Sequence, residues 1–287
     1  MNPQPADKVQ PARFAPENEG IDGYRPHPWW QVVLLGLASG SAGGLIGVGG
    51  GIVMVPVLTL WGMGQKRAQG TSLAVIVAIV PLAVASYYVL GNVDFRFALP
   101  LALGGAIGGW LGSHLAQRFS NRALGRFFGA FLVLVALRML FISKLAPGQT
   151  EWQLTACGLL EAGLFGLLAG AVAGFFGVGG GIVFVPTGVL LAGLTQAVSQ
   201  GSSFTAMLPT ALAGTLAYKE KHEIAWDLLR WLVPSAWIGV MLGSFGADVI
   251  PGPQLRVVFA CFLLYTGARR VLGKRNDAGR VGKPPNG

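Results

Sequence analysis

Two glycine-rich segments carry the residue types that hold a small anion without any charged side chain. Both read Gly-Val-Gly-Gly-Gly, over 47–51 and 177–181. Consecutive glycines break a helix and permit positive φ, and unpaired N–H groups at a helix start, here near Ile52 and Ile182, attract anions. The alternative interpretation is a tight turn for close packing. The candidate anion-binding residues are Gly49, Gly50, Gly51, Gly179, Gly180 and Gly181.

A second pair of segments supplies hydroxyl and amide side chains about 20 residues after each glycine run. The two segments are 69–72 and 200–203, and each consists of Gln-Gly followed by two hydroxyl residues. Placed at the start of a helix, these hydroxyls either cap that helix or bind an oxyanion together with its free N–H groups, and both roles can hold at once. The candidate residues are Gln69, Gly70, Thr71, Ser72, Gln200, Gly201, Ser202 and Ser203.

Other chemistries find little support in the sequence. A dinucleotide-binding loop needs a third glycine where this chain has Ile52 and Ile182, and an acidic residue about 20 positions later, which is absent. No nucleophile–base–acid set, phosphate-binding loop or cluster of metal ligands appears, so the sequence predicts no enzyme, cofactor or metal. Glu161 stands inside an apolar run, where a buried acid is a candidate for proton coupling.

The elements that position these residues come in two copies. Segment 44–56 and segment 174–186 share ten of 13 residues, and each glycine run is followed by a proline, Pro56 or Pro186. Each half therefore contains five apolar elements, of which the second is too short to cross a bilayer as a helix. The predicted elements are 30–47, 52–62, 70–90, 97–116 and 122–142, then 155–176, 182–193, 201–218, 228–247 and 255–272.

Composition places these elements in a membrane. Of the 287 residues 53% are hydrophobic and 11% are charged, against about 25% charged residues in soluble domains. The longest run without an acidic or basic residue extends from Ala162 to Tyr218, 57 residues. The net charge of +9 is better explained by Lys and Arg in short cytoplasmic loops than by nucleic acid binding. The partners expected are the lipid bilayer and a small anion, with a proton as a possible coupling ion.

Charge also predicts how the chain crosses the membrane. If both termini are cytoplasmic, the loops at Lys66, Arg118 and Lys219 lie inside, as the positive-inside rule requires. The first two elements of each half then form a hairpin, which either spans or re-enters, and the two halves have opposite orientations. The sequence predicts an all-α inner-membrane protein with a disordered tail (1–28), two transmembrane repeats (29–147 and 148–272) and a disordered basic tail (273–287).

At these doubled motifs the chain resembles the sulfite exporter TauE/SafE family, also called the toluene sulfonate uptake permeases. The resemblance covers 30–272 and rests on the G-x-G-G-G-I-V-x-V-P and Q-G-[TS]-S segments. It implies a permease for sulfite, an organosulfonate or a related sulfur-containing or carboxylate anion, driven by an ion gradient, with the site at the motif positions. It leaves open the direction of transport, the anion and the oligomeric state.

The function hypothesis is therefore a secondary anion transporter that works by alternating access at the interface of the repeats. A passive anion channel would use the same residues without gradient dependence. A non-transporting membrane scaffold is the other alternative, and under it Thr71→Val and Ser202→Ala would leave function unchanged.

Overall fold

The computed structural model describes residues 27–141, 155–190, 192–246, 261, 263–269 and 271–272. Apart from His27 and Pro28, both predicted tails lie outside the described residues. Residues 261, 263–269 and 271–272 are helical. The remaining helices are α1 (Trp29–Ile46), α2 (Gly51–Leu60), α3 (Gln65–Val89), α4 (Phe95–Gln117), α5 (Asn121–Phe141), α6 (Ala156–Phe176), α7 (Gly181–Leu190), α8 (Gln196–Lys219) and α9 (Trp226–Gly246).

The prediction of an all-helical, multi-pass membrane protein is confirmed. Five helices, α1, α3, α4, α6 and α9, are long and apolar enough to cross a membrane. Helices α2 and α7 contain 10 residues each. That length corresponds to about 15 Å, half of the hydrocarbon thickness, so the second element of each half is short as predicted.

The third element of each half begins earlier than the apolar pattern predicts. Helix α3 starts at Gln65 after Gly64, and α8 starts at Gln196, where the Thr195 hydroxyl accepts a hydrogen bond from the N–H of Val198. Charged Lys66 and polar residues occupy the first turns, which an apolar count leaves out. The segments 69–72 and 200–203 therefore lie inside their helices, and the prediction that they cap a helix start is wrong.

Glycines spaced by four bring helices from different halves into backbone contact. A Cβ atom on Gly40 of α1 would lie 2.9 Å from the Cα of Ala236 in α9, and one on Gly108 of α4 would lie 2.7 Å from the N of Ala171 in α6. Small residues permit such close helix packing in membranes. The first helix of each half thus packs on the fourth helix of the other half.

Charged residues gather at one end of the bundle, where α3 begins and α8 ends, which we call the basic end. The Lys66 ammonium donates to the Gln117 carbonyl at 3.0 Å, and the Lys66 N–H donates to Asn121 Oδ1 at 3.1 Å. His114 Nε2 lies 3.9 Å from Glu220 Oε2. The opposite end, where α8 begins and α3 ends, is the far end. The connections at the basic end also carry Arg118, Lys219 and Lys221.

Candidate functional site

Both glycine runs form left-handed turns that are buried inside the bundle. In the first turn φ is 78° at Gly47, 74° at Gly49 and 76° at Gly50, and the equivalent glycines of 177–180 have φ between 68° and 89°. L side chains rarely adopt this conformation, which explains the glycines. Residues 47–51 and 177–181 are buried. The helix is therefore broken within protein, where broken backbone is tolerated at membrane depth.

The two turns are in direct contact with each other. A Cβ atom on Gly51 would lie 2.8 Å from the Cα of Val178, and one on Gly181 would lie 2.5 Å from the Cα of Val48. Each contact joins the start of a short helix, α2 or α7, to the glycine turn of the other half. We call this meeting of the two turns the crossing.

Several N–H groups at the crossing donate no hydrogen bond. Helical backbone hydrogen bonds are present on both sides of the first turn. Gly47 N–H donates to Gly43 O before it, and Met54 N–H donates to Gly50 O after it. Among the hydrogen bonds of the described residues, none is donated by the N–H groups of Gly49–Gly51 or of Gly179–Gly181. These donors stand at the starts of α2 and α7, where the helix dipole adds positive potential.

Two buried serines place hydroxyls against the same backbone. Ser72 Oγ lies 2.8 Å from the Cβ position of Gly51 and has no hydrogen-bond partner among the described residues. The Ser203 hydroxyl makes only long contacts, to Gly47 O at 3.5 Å and to Met207 Sδ at 3.8 Å. Both side chains are fully buried. The crossing therefore offers N–H and O–H donors that carry no formal charge.

Two apolar side chains cover the crossing. Met207 Cε and Ile76 Cδ1 lie 2.7 Å and 2.9 Å from the Cβ position of Gly179, and both side chains also approach the Cβ position of Gly49. Ile76 and Met207 are fully buried and occupy equivalent positions of the two halves. This conformation therefore has the crossing closed by one residue from each half.

The glutamines bind tyrosines of the other half, which sequence reasoning missed. The Tyr87 hydroxyl, which has one proton to donate, lies 2.7 Å from Gly44 O and 3.1 Å from Gln200 Oε1. In the same way the Tyr218 hydroxyl lies 2.9 Å from Gln69 Oε1 and 3.3 Å from Gly174 O. One pair lies at each end of α3 and α8. The only sequence signal was that Tyr87 and Tyr218 share the offset that relates Gln69 to Gln200.

The remaining residues of the second motif hold loops of the opposite half. Thr71 Oγ1 accepts a hydrogen bond from Ala225 N–H at 2.9 Å, and Ser202 Oγ accepts one from Asp94 N–H at 2.9 Å. Gly70 packs on the Glu223 carbonyl and Gly201 packs on the Asn92 carbonyl. These four residues lie beside the predicted site and fix the starts of α9 and α4.

We expect Thr71→Val to lower the free energy of unfolding by about 1–2 kcal/mol, because it leaves the buried Ala225 N–H unpaired. Thermal melting of the purified protein in detergent measures this loss. Thr210→Val is the matched control, since the Thr210 hydroxyl bonds only to Ala206 O one turn back in its own helix. Equal melting temperatures for the two variants would contradict the assigned role of Thr71.

Glu161 lies apart from the crossing. It is exposed on α6, where its carboxylate accepts a long hydrogen bond from the Cys157 thiol at 3.5 Å. Sixteen residues of helix, about 24 Å, separate it from Gly177. Its role in proton coupling stays a prediction.

Comparison with known proteins identifies the family. The family model described as sulfite exporter TauE/SafE matches residues 9–139 and 162–287, which include both glycine turns. The chain belongs to the sulfite exporter TauE/SafE family. The predicted resemblance is confirmed, and the TauE/SafE match extends beyond 30–272 at both ends.

Relatives of the chain carry transporter names. A probable membrane transporter protein of Bacillus subtilis, YunE, is 27% identical over 82% of this chain and 97% of its own length. A probable membrane transporter protein of Xylella fastidiosa is 31% identical over 72% and 79%. The Arabidopsis thaliana sulfite exporter TauE/SafE family protein 5 is 29% identical over 39% of this chain and 25% of its own length. No solved structure matches significantly.

Proposed function

We propose that this protein is a secondary transporter whose substrate, a small oxyanion, binds at the crossing. The observation that carries the proposal is the contact between two buried helix starts, each preceded by N–H groups that donate no hydrogen bond. Two helix N-termini that point at one place form an anion site. Buried polar groups are almost always paired, so donors left open at membrane depth favour a ligand over a packing turn.

The chemistry of the crossing favours a weakly held anion. Its donors are backbone N–H groups of the two glycine turns and the hydroxyls of Ser72 and Ser203, all without formal charge. A charged arginine partner would bind an oxyanion about twice as strongly per hydrogen bond, which hinders release. Sulfite, an organosulfonate or a carboxylate fits these donors, and the family name and that of the Arabidopsis thaliana relative favour sulfite.

In this proposal the two halves, 29–147 and 148–272, lie in opposite orientations in a bacterial inner membrane, with both termini in the cytoplasm. Alternating access would exchange the roles of these equivalent halves. The reciprocal contacts support this arrangement, since α1 packs on α9 as α6 packs on α4. Ile76 and Met207 would then move aside together with their helices, α3 and α8. Glu161 is retained as a candidate for coupling this motion to a proton.

Flux into proteoliposomes tests the proposal. We expect labelled sulfite, a sulfonate or a carboxylate to enter in a saturable way and faster with a proton gradient. Ser72→Ala should lower kcat/KM about tenfold, because it removes one donor worth roughly 1.4 kcal/mol at the anion.

Ser244→Ala provides the matched control, since the Ser244 hydroxyl is equally buried but bonds to Val240 O of its own helix at 2.7 Å. Flux that does not saturate and ignores the gradient would indicate a channel instead. Absence of flux for every anion would indicate a scaffold and reject the proposal.

A further inference from the structure

One face of α3 forms a buried file of side chains that leads from the basic end to the crossing. Its members are Gln65, Gln69, Ser72 and Ile76, and their spacing of four, three and four places them on one side of the helix. Gln65 is 2% exposed and the other three are fully buried. The file begins at the first residue of α3 and ends at Ile76, which covers the glycine turns.

The polar members of this file have unused hydrogen-bonding groups. Four side-chain atoms are buried and make no hydrogen bond within the part of the chain that the structure describes: both amide atoms of Gln65, Gln69 Nε2 and Ser72 Oγ. An unsatisfied buried polar group destabilises the folded state, and such groups in native proteins normally contact water or a ligand. Because Gln65, Gln69 and Ser72 follow one another and each has an unused donor, they indicate a path for a polar ligand.

The equivalent file on α8 differs at its outer end. Gln196, the counterpart of Gln65, is exposed at the far end, and Gln200 bonds to Tyr87 and to Leu45 O. Ser203 reaches Gly47 O. The unsatisfied buried amide is therefore particular to Gln65 and does not follow from the repeat.

Charge at the basic end favours an anionic guest. Lys66 and Arg67 follow Gln65 directly, and the Nε of Arg67 is also buried without a partner. The Lys66 ammonium is held nearby by the Gln117 carbonyl. Positive side chains raise the local concentration of anions, and the neutral amide of Gln65 comes next along the file.

We infer that Gln65 forms a second anion-binding position, a waiting site that an oxyanion occupies between the basic end and the crossing. This inference rests on the proposed function and adds a residue and a place to it. Gln65 Nε2 donates to an oxygen of the anion, and Oε1 accepts a hydrogen bond from water that travels with the anion. The next donors inward are Gln69 Nε2 and the Ser72 hydroxyl.

Equilibrium binding of radiolabelled sulfite to the full chain in detergent, combined with flux, tests the inference. We expect about two sulfite ions bound per wild-type chain and about one per Gln65→Leu chain. The apparent KM for sulfite presented at the basic end should rise about fivefold in this variant. Because Gln65→Leu removes an unpaired buried amide, its melting temperature should equal or exceed that of the wild type.

Gln196→Leu is the matched control at the equivalent exposed position, and it should keep both the stoichiometry and the KM. A Gln65→Leu protein that transports normally and binds as much sulfite as the wild type would overturn the waiting site and leave the transporter intact. A melting temperature well below that of the wild type would also overturn it, because the amide would then be structural. A wild type without flux or bound sulfite would reject the transporter and the waiting site together.

Discussion

Gly181→Ala is expected to leave little folded protein, because the new methyl group has no space at the crossing. Its Cβ atom would lie 2.5 Å from the Cα of Val48 and closer still to the Gly47 carbonyl oxygen. Both are backbone atoms, so no side-chain rotation relieves the overlap. Overpacking of this kind costs about 3 kcal/mol. Gly51→Ala should behave similarly, since its Cβ atom would meet Val178 Cα at 2.8 Å.

Gly163→Ala is the control that distinguishes the steric overlap at the crossing from the ordinary effect of alanine on a helix. Gly163 lies in α6, and the nearest atom to its Cβ position is the Pro100 carbonyl oxygen at 4.0 Å. Alanine there should raise helix stability by up to about 1 kcal/mol. Thermal melting of each variant in detergent, followed by gel filtration, gives the folded fraction. If Gly181→Ala melts like Gly163→Ala, the two turns do not touch.

The repeat explains why much of this fold was predictable. Glycine runs that stand in two copies before short apolar segments predicted broken helices, and the breaks between α1 and α2 and between α6 and α7 confirm them. Helix starts were less predictable, because apolar patterning does not register the first turn at Lys66 or the cap at Thr195. Because each helix begins five residues earlier than predicted, the contacts of Thr71 and Ser202 with the loops before α9 and α4 were not foreseen.

The partners of the second motif were beyond sequence reasoning for a different reason. A duplication shows that Tyr87 corresponds to Tyr218 and Gln69 to Gln200, but it does not state which of them meet. The tyrosine of each half bonds to the glutamine of the other half, across long sequence separations. That choice is made by the antiparallel packing of α3 on α8, a property of three-dimensional assembly.

These tyrosine–glutamine hydrogen bonds between the halves make the two ends of the bundle chemically alike, and each end has its own bond. At the basic end, Tyr218 links Gln69 of α3 to the Gly174 carbonyl of α6. At the far end, Tyr87 links Gln200 of α8 to the Gly44 carbonyl of α1. Each hydroxyl therefore connects a long helix, α3 or α8, to the last turn of the helix that precedes a glycine turn, α6 or α1. Under alternating access, opening one end requires breaking only the link at that end.

Removing one hydroxyl should accordingly shift access at one end only. In a Cys157→Ser, Cys261→Ser background, Tyr218→Phe is expected to raise thiol labelling of Ser72→Cys from the basic end about tenfold. Tyr87→Phe is expected to do the same for Ser203→Cys from the far end. A net hydrogen bond of about 1.4 kcal/mol corresponds to a tenfold change in a two-state equilibrium.

The restriction of each effect to one end distinguishes a pair of gates from general loosening. Tyr88→Phe serves as the control, since its ring is 62% exposed and it neighbours Tyr87, so neither reporter should respond. If each tyrosine variant raises labelling of both reporters equally, the hydroxyls stabilise the bundle as a whole and gate nothing. If Tyr218→Phe raises labelling of Ser72→Cys alone and Tyr87→Phe raises that of Ser203→Cys alone, each end is held closed by a hydrogen bond to a side chain of the other half. Such a bond across the two repeats is what couples the two ends in a duplicated chain.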